Sequence, residues 1–217
     1  FYNCSELKSI NVSNNNTAYS SIDGILYNKE QTRLVKVPRA VEKVLMPGTI
    51  ETIGNYAYND CTNLSDIVIR NGVKTIESYA FNNCSRLKNI IIPNSVIRIE
   101  GCAFNNCGNL NNVIIGNGVT SIGNEAFSNC RNLEDITVSE ENNTYSSVNG
   151  VLYDKDQTSI IIIPDKNKGE IIIPKGMFSI ETEHDYSNNI SRTYVKTIQG
   201  ATSLTLTFDS NCFLEDN

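Results

Sequence analysis

From Cys61 to Cys130 the chain repeats itself at every 23rd residue. Cys61, Cys84, Cys107 and Cys130 form one column, and Leu64, Leu87, Leu110 and Leu133 form the next. Ile67, Ile90, Val113 and Ile136 follow, then Ile69, Ile92, Ile115 and Val138. Ile50, Val73, Val96 and Val119 make a further column, as do Ile53, Ile76, Ile99 and Ile122. Ala57, Ala80, Ala103 and Ala126 complete the set with Tyr58, Phe81, Phe104 and Phe127. Nearly every position between is polar. One such unit is too short to bury its own apolar edge, but stacked on a neighbour it can. Residues 1–180 are therefore expected to form a single right-handed solenoid of the α/β type, mostly β, with a parallel sheet on one face.

Within each unit, L-x-x-I-x-I ends on apolar residues two apart, which suits a short strand. Val96-x-x-Ile99 returns to the core, and Ala-Phe with the following Cys fills the far side of the coil. The whole unit, A-F-x-x-C-x-x-L-x-x-I-x-I-x-x-x-V-x-x-I, resembles the BspA-type leucine-rich repeat. Residues 50–138 match that pattern almost position by position, including Pro93 after its strand and the pairs Ile53-Gly54 and Ile122-Gly123. The departures are Tyr58 for Phe, Arg70 and Gly116 in place of Pro, and Glu77 and Glu100 in place of Gly. The resemblance implies a surface-exposed or secreted protein that binds other molecules and carries no catalytic residues.

The column also decides how the cysteines are read. Cys4, Cys61, Cys84, Cys107 and Cys130 hold one repeat position, so they are expected to be small buried residues rather than a disulfide framework. There is no C-x-x-C pair and a single histidine, which leaves little for zinc to bind. Cys102 and Cys212 stand outside the column.

Two longer units interrupt the period. Tyr19–Tyr27 shifted by 126 residues lands on Tyr145–Tyr153, and Lys29, Gln31, Thr32 and Pro38 land on Lys155, Gln157, Thr158 and Pro164. Each reads as a hairpin: Ile25–Tyr27 with Leu34–Val37, and Val151–Tyr153 with Ile160–Ile163. Asp23-Gly24 and Asp154-x-Asp156 could suggest calcium, but no EF-hand-like ligand run is present and turn chemistry accounts for them.

The repeat pattern ends near Ile180. Residues 181–217 are read as a linker, holding His184, followed by β-like alternation. Lys196–Ser210 resembles the opening of a CUB-like β-sandwich, which in similar proteins follows such repeats. The chain opens on Phe1-Tyr2-Asn3-Cys4, in mid-repeat, as expected for a piece of a longer protein.

The formal net charge is −6 and Lys and Arg do not cluster, so no nucleic-acid footprint is expected. No apolar run approaches the ~20 residues of a membrane span. No catalytic constellation, cofactor motif or metal site is read: the glycines at 72, 116, 118 and 123 are turn positions, and His184 stands among polar linker residues.

What remains is a surface. Residues alternating with the core isoleucines must point outward. Lys43, Asp66, Asn89, Asn112 and Asp135 make one such column, and Leu45, Val68, Ile91, Ile114 and Thr137 the next. An apolar stripe flanked by polar residues suits a partner-binding face for a host or matrix protein or a glycan. The rival expectation is a rigid spacer that presents a C-terminal domain, with β-branched residues on the stripe only because strands favour them.

Overall fold

The computed structural model describes residues 1, 4, 6–41, 44–169 and 171–174, with the backbone pairing of Thr205–Leu206. Among them it contains strands and turns but no helix. The first hairpin unit is a three-stranded antiparallel meander of β1 (Tyr19–Ile22), β2 (Ile25–Asn28) and β3 (Arg33–Lys36). Asp23 and Gly24 make the β1–β2 turn, both with positive φ (50° and 76°), as a two-residue hairpin turn matched to strand twist requires. Strand β3 then pairs in parallel with β4 (Thr52–Ile53), and β4 with β5 (Thr75–Ile76).

Strand β6 (Asn89–Ile92) opens a second sheet, β7 (Arg98–Ile99) extends the first, and β8 (Asn112–Ile115) lies parallel to β6. Strand β9 (Ser121–Ile122) closes the first sheet and β10 (Asp135–Val138) the second. The chain then repeats the meander as β11 (Tyr145–Val148), β12 (Val151–Asp154) and β13 (Ile160–Ile162). Its β11–β12 turn uses Asn149 and Gly150, again with positive φ (51° and 82°). Strand β14 (Ile171–Ile172) pairs antiparallel with β15 (Thr205–Leu206), which falls inside the stretch read as β-like.

The parallel-sheet solenoid is as expected, but the strands differ from the sequence reading in two respects. The second crossing of each coil, such as Thr75-Ile76, builds its own ladder, so two sheets line the coil. Residues 66–69 and 44–46 occupy the strand columns without joining the β6–β8–β10 ladder. The far side of each coil is a run of tight turns, for example Ala57 N–H to Gly54 O and Cys61 N–H to Tyr58 O. Successive coils are tied there by Tyr58 N–H to Ala80 O, Phe81 N–H to Ala103 O and Phe104 N–H to Ala126 O, each 2.7 Å. The coils that carry β6, β8 and β10 are therefore bonded to one another along three lines, and the coil before them to its neighbour along two.

The core runs continuously through this stack. Leu87, Ile90, Ile92, Val96, Ile99, Phe104 and Cys107 are all buried, as the repeat requires. Tyr58, Phe81, Phe104 and Phe127 stack with ring centroids 4.7, 5.0 and 5.1 Å apart. Aromatic residues at one height meet face to face because the coil spacing, about 4.8 Å, matches the offset-stacking distance of aromatic rings. Cys61, Cys84, Cys107 and Cys130 are buried thiols outside any disulfide, whereas Cys4, expected in the same column, is exposed because no complete coil precedes it among the described residues. Cys84, Cys107 and Cys130 donate to the carbonyls of Tyr58, Phe81 and Phe104 in the preceding coil at 3.2–3.3 Å. Burial pushes the Cys61 thiol up to about 11. No helix among the described residues is long and apolar enough to cross a membrane.

Candidate functional site

The period-two alternation of β6, β8 and β10 sets the candidate face. Ile90, Val113 and Ile136 turn inward and are buried, whereas their neighbours Ile91 and Ile114 turn outward. Hydrogen-bond register aligns Ile91 with Ile114 and Thr137, and Asn89 with Asn112 and Asp135. Three members of each expected column are thus aligned across the sheet. The stripe continues onto the coils before the ladder: Leu45 is 73% exposed, Val68 78%, Ile91 60% and Ile114 46%. Four large apolar side chains at one repeat height, left to water, are a costly use of surface.

The flanking polar column is only partly uniform. Asp66, Asn89 and Asn112 are exposed, and Asn112 Nδ2 donates to Asn89 Oδ1 at 3.0 Å. Asp66 accepts from the Ser65 hydroxyl, 2.8 Å, and Asp135 from the Thr137 hydroxyl, 2.6 Å. Asp135 is half-buried because the Gly150 turn of the second hairpin unit leans on it, with Ile136 N–H bonded to Gly150 O at 3.0 Å. Lys43 lies outside the described residues, as do His184, Cys212 and the CUB-like stretch apart from the pairing of Thr205–Leu206.

The Asp154 carboxylate serves its hairpin turn. Asp154 Oδ1 accepts from the backbone N–H of Thr158 and Ser159, 2.6 and 3.0 Å, and Oδ2 accepts from the Thr158 hydroxyl. These bonds, led by the one from the Thr158 hydroxyl, hold the carboxyl below its usual range. Asn28 plays the same part in the first unit, accepting from Arg33 N–H at 2.8 Å. Among the described residues no three His, Cys, Asp or Glu gather as a metal site.

The sequence reading passed over the residues that begin these strands. Lys88, Asn111 and Glu134 stand one position before the polar column and, with Asn109, Asn132 and Lys166, line a cleft of about 360 Å³. Two of its columns were visible in the period; Lys166 was not, because it arrives from the second hairpin unit.

Coils of this length, stacked on Leu, Ile and Cys columns with short parallel strands, define a leucine-rich repeat solenoid. The description "BspA type leucine rich repeat region" matches residues 39–149 in six copies, and the chain belongs to that family. Two solved structures share the fold. The pneumococcal vaccine antigen PcpA is 23% identical with a TM-score of 0.63, over 74% of this chain and 38% of that one. A leucine-rich repeat protein from Eubacterium ventriosum is 23% identical with a TM-score of 0.51, over 87% of this chain and 56% of that one. The chain thus spans well under two thirds of either relative. Curated protein sequences yield no match.

Proposed function

We propose that this chain is a non-catalytic binding module of a secreted or cell-surface protein, and that it holds a partner protein against the outer face of the β6–β8–β10 sheet. The observation that carries the reading is the exposed column Leu45, Val68, Ile91 and Ile114. Membership of a bacterial repeat family supports a module that binds through its surface, and one structural relative is named as a vaccine antigen. Covering each of these side chains returns ~1.5–3 kcal/mol before association costs are subtracted. Asp66, Asn89, Asn112 and Asp135 alongside give the polar rim that fixes orientation.

The test is the double variant Ile91→Asp with Ile114→Asp, measured for thermal unfolding and for adhesion to immobilised matrix proteins and host cells. The expected outcome is an unchanged melt with adhesion lost. Adhesion equal to the parent's removes the stripe as the binding site and leaves the spacer reading. A variant that does not fold means that the stripe is core.

A further inference from the structure

A polar cleft opens at the start of β6, β8 and β10. Lys88, Asn111 and Glu134 come from three successive coils, and Asn109 and Asn132 from the turns before two of them. The last wall is the return loop of the second hairpin unit. It is fixed by Lys166 N–H to Leu133 O, 2.8 Å, and by Asn167 Nδ2 to Asn149 O, 2.6 Å. The cleft is thus framed by backbone-anchored chain on both sides.

Part of its polar lining is already committed. Asn132 Nδ2 donates to Gly108 O at 2.7 Å and to Asn109 Oδ1 at 3.2 Å, and its Oδ1 accepts from Lys166 Nζ at 2.6 Å. Asn109 Nδ2 donates to Ser85 O at 2.7 Å. Glu134 is paired with Lys168 Nζ at 3.2 Å. By contrast, the Lys88 ammonium and the Asn111 carboxamide make no side-chain bond among the described residues. Lys88 and Lys166 have no carboxylate partner there either, in a chain whose formal charge is −6. The cleft therefore offers two ammonium groups without a carboxylate partner, one of them pre-positioned, beside a free amide, while the one carboxylate on its wall, Glu134, is paired with Lys168.

That combination selects a ligand class. An ammonium takes an anionic oxygen as a point charge. A carboxamide offers a donor and an acceptor together, which matches a hydroxyl that is itself both. An acidic sugar carries an anion and several hydroxyls on one ring. The volume is at the small end of the roughly 300–1,000 Å³ of ligand sites, which suits one or two sugar rings. The lining holds no aromatic ring, so a neutral sugar has no platform on which to stack.

We propose that this cleft binds an acidic sugar residue of the hexuronic acid type. Lys88 and Lys166 take its carboxylate, and Asn111 takes a ring hydroxyl. The proposal does not rest on the apolar stripe, none of whose residues lines the cleft.

The experiment is an NMR titration of the full ¹⁵N-labelled chain with an oligosaccharide of glucuronic acid, with a neutral oligosaccharide of the same length, and with inorganic sulfate. The uronate should shift the Asn111 side-chain amide saturably and weaken with added salt, and the neutral sugar should not shift it. Lys88→Ala and Lys166→Ala, each with a parental melting curve, should weaken uronate binding about ten-fold or more. Lys155→Ala, a lysine outside the cleft, should leave it unchanged. No saturable shift, an equal response to the neutral sugar, sulfate binding as tight as the uronate, or indifference to both lysine variants would each overturn the assignment.

Discussion

Asn16 and Asn142 occupy the same place in the two hairpin units. Each accepts with its Oδ1 from the backbone N–H two and three residues on, Ala18 and Tyr19 in one unit, Thr144 and Tyr145 in the other. Asn142 is fully buried and also donates to Gly116 O and Val119 O of the coil beneath, 2.9 and 3.0 Å. Asn16 is exposed and makes only the local pair. Tyr145 accepts from Ile122 N–H with its hydroxyl, whereas Tyr19 is exposed. Leu133 is buried in its column, and Leu7, its counterpart 126 residues earlier, is half-buried. The local bonds of the two meanders are the same, down to Ser21 and Ser147 accepting from Val12 and Val138 N–H at 2.9 Å. Sequence thus fixes the shape of the unit, and the coil stacked beneath it decides what each side chain is worth.

Truncating the leucine column should separate the units most. Leu133→Ala is expected to cost ~2–5 kcal/mol, as buried leucines do, and Leu7→Ala ~1 kcal/mol, both read from urea unfolding. Equal costs would mean that the two ends of the stack are equally packed.

The alkaline limb of stability reports on the buried cysteine column. Cys61 keeps its proton to about pH 11 when folded, because burial outweighs the opposing charges of Lys36 and Arg39. Unfolded, it titrates near ~8.5. The folded state therefore holds more protons than the unfolded state in that interval, so stability is complete below about pH 8.5 and falls as pH rises through 11. About 3 kcal/mol is at stake for this thiol. Unfolding midpoints at pH 8 and pH 11 should diverge for the parent and diverge less for Cys61→Ala. A thiol reagent should reach exposed Cys4 in the native protein and the buried column only after denaturation.

Asn142→Ala should cost ~2–3 kcal/mol, since it strands two carbonyls and two N–H groups, and Asn16→Ala ~1 kcal/mol. Chemical denaturation of the two variants checks the difference.

The smallest effects reverse the order of the units. Tyr153 accepts from Ile172 N–H at 3.1 Å, but the buried hydroxyl of Tyr27, its counterpart, has no partner among the described residues. Tyr153→Phe should cost ~1 kcal/mol, and Tyr27→Phe ~0 or slightly less than nothing. A large loss on Tyr27→Phe in a melting curve would reveal a bond to that hydroxyl.

The regular coils were legible because each core position is one residue type repeated at one interval, so Leu87 or Ile99 announces its own burial. The hairpin units were half legible. Asp23-Gly24 and Asn149-Gly150 are the turns of two-residue hairpins, yet Tyr19–Ile22 and Tyr145–Val148 were not read as their partner strands. The polar sequences Tyr-Ser-Ser hid them, since the serines serve backbone groups rather than a core. Two-residue strands such as Thr75-Ile76 leave no alternation to detect, so the first sheet went unseen. Asn142 stands at the height of Val119, one period on, where a polar residue replaces the apolar column. Its buried role depends on carbonyls a coil away. The stripe was legible from alternation alone, whereas the cleft required the fold to bring Lys166 back to Lys88.

The central claim is that one strand carries a core residue and a surface residue side by side. Thermal unfolding of Ile90→Asp and Ile91→Asp, measured in parallel, tests it most directly. Ile90 is buried and Ile91 is 60% exposed, so the first change places a carboxylate in the core and the second in water. Ile90→Asp should abolish cooperative folding or lower stability by several kcal/mol, and Ile91→Asp should shift it by less than about 1 kcal/mol. Comparable losses in both variants would contradict the assignment of the two faces and, with it, the binding surface.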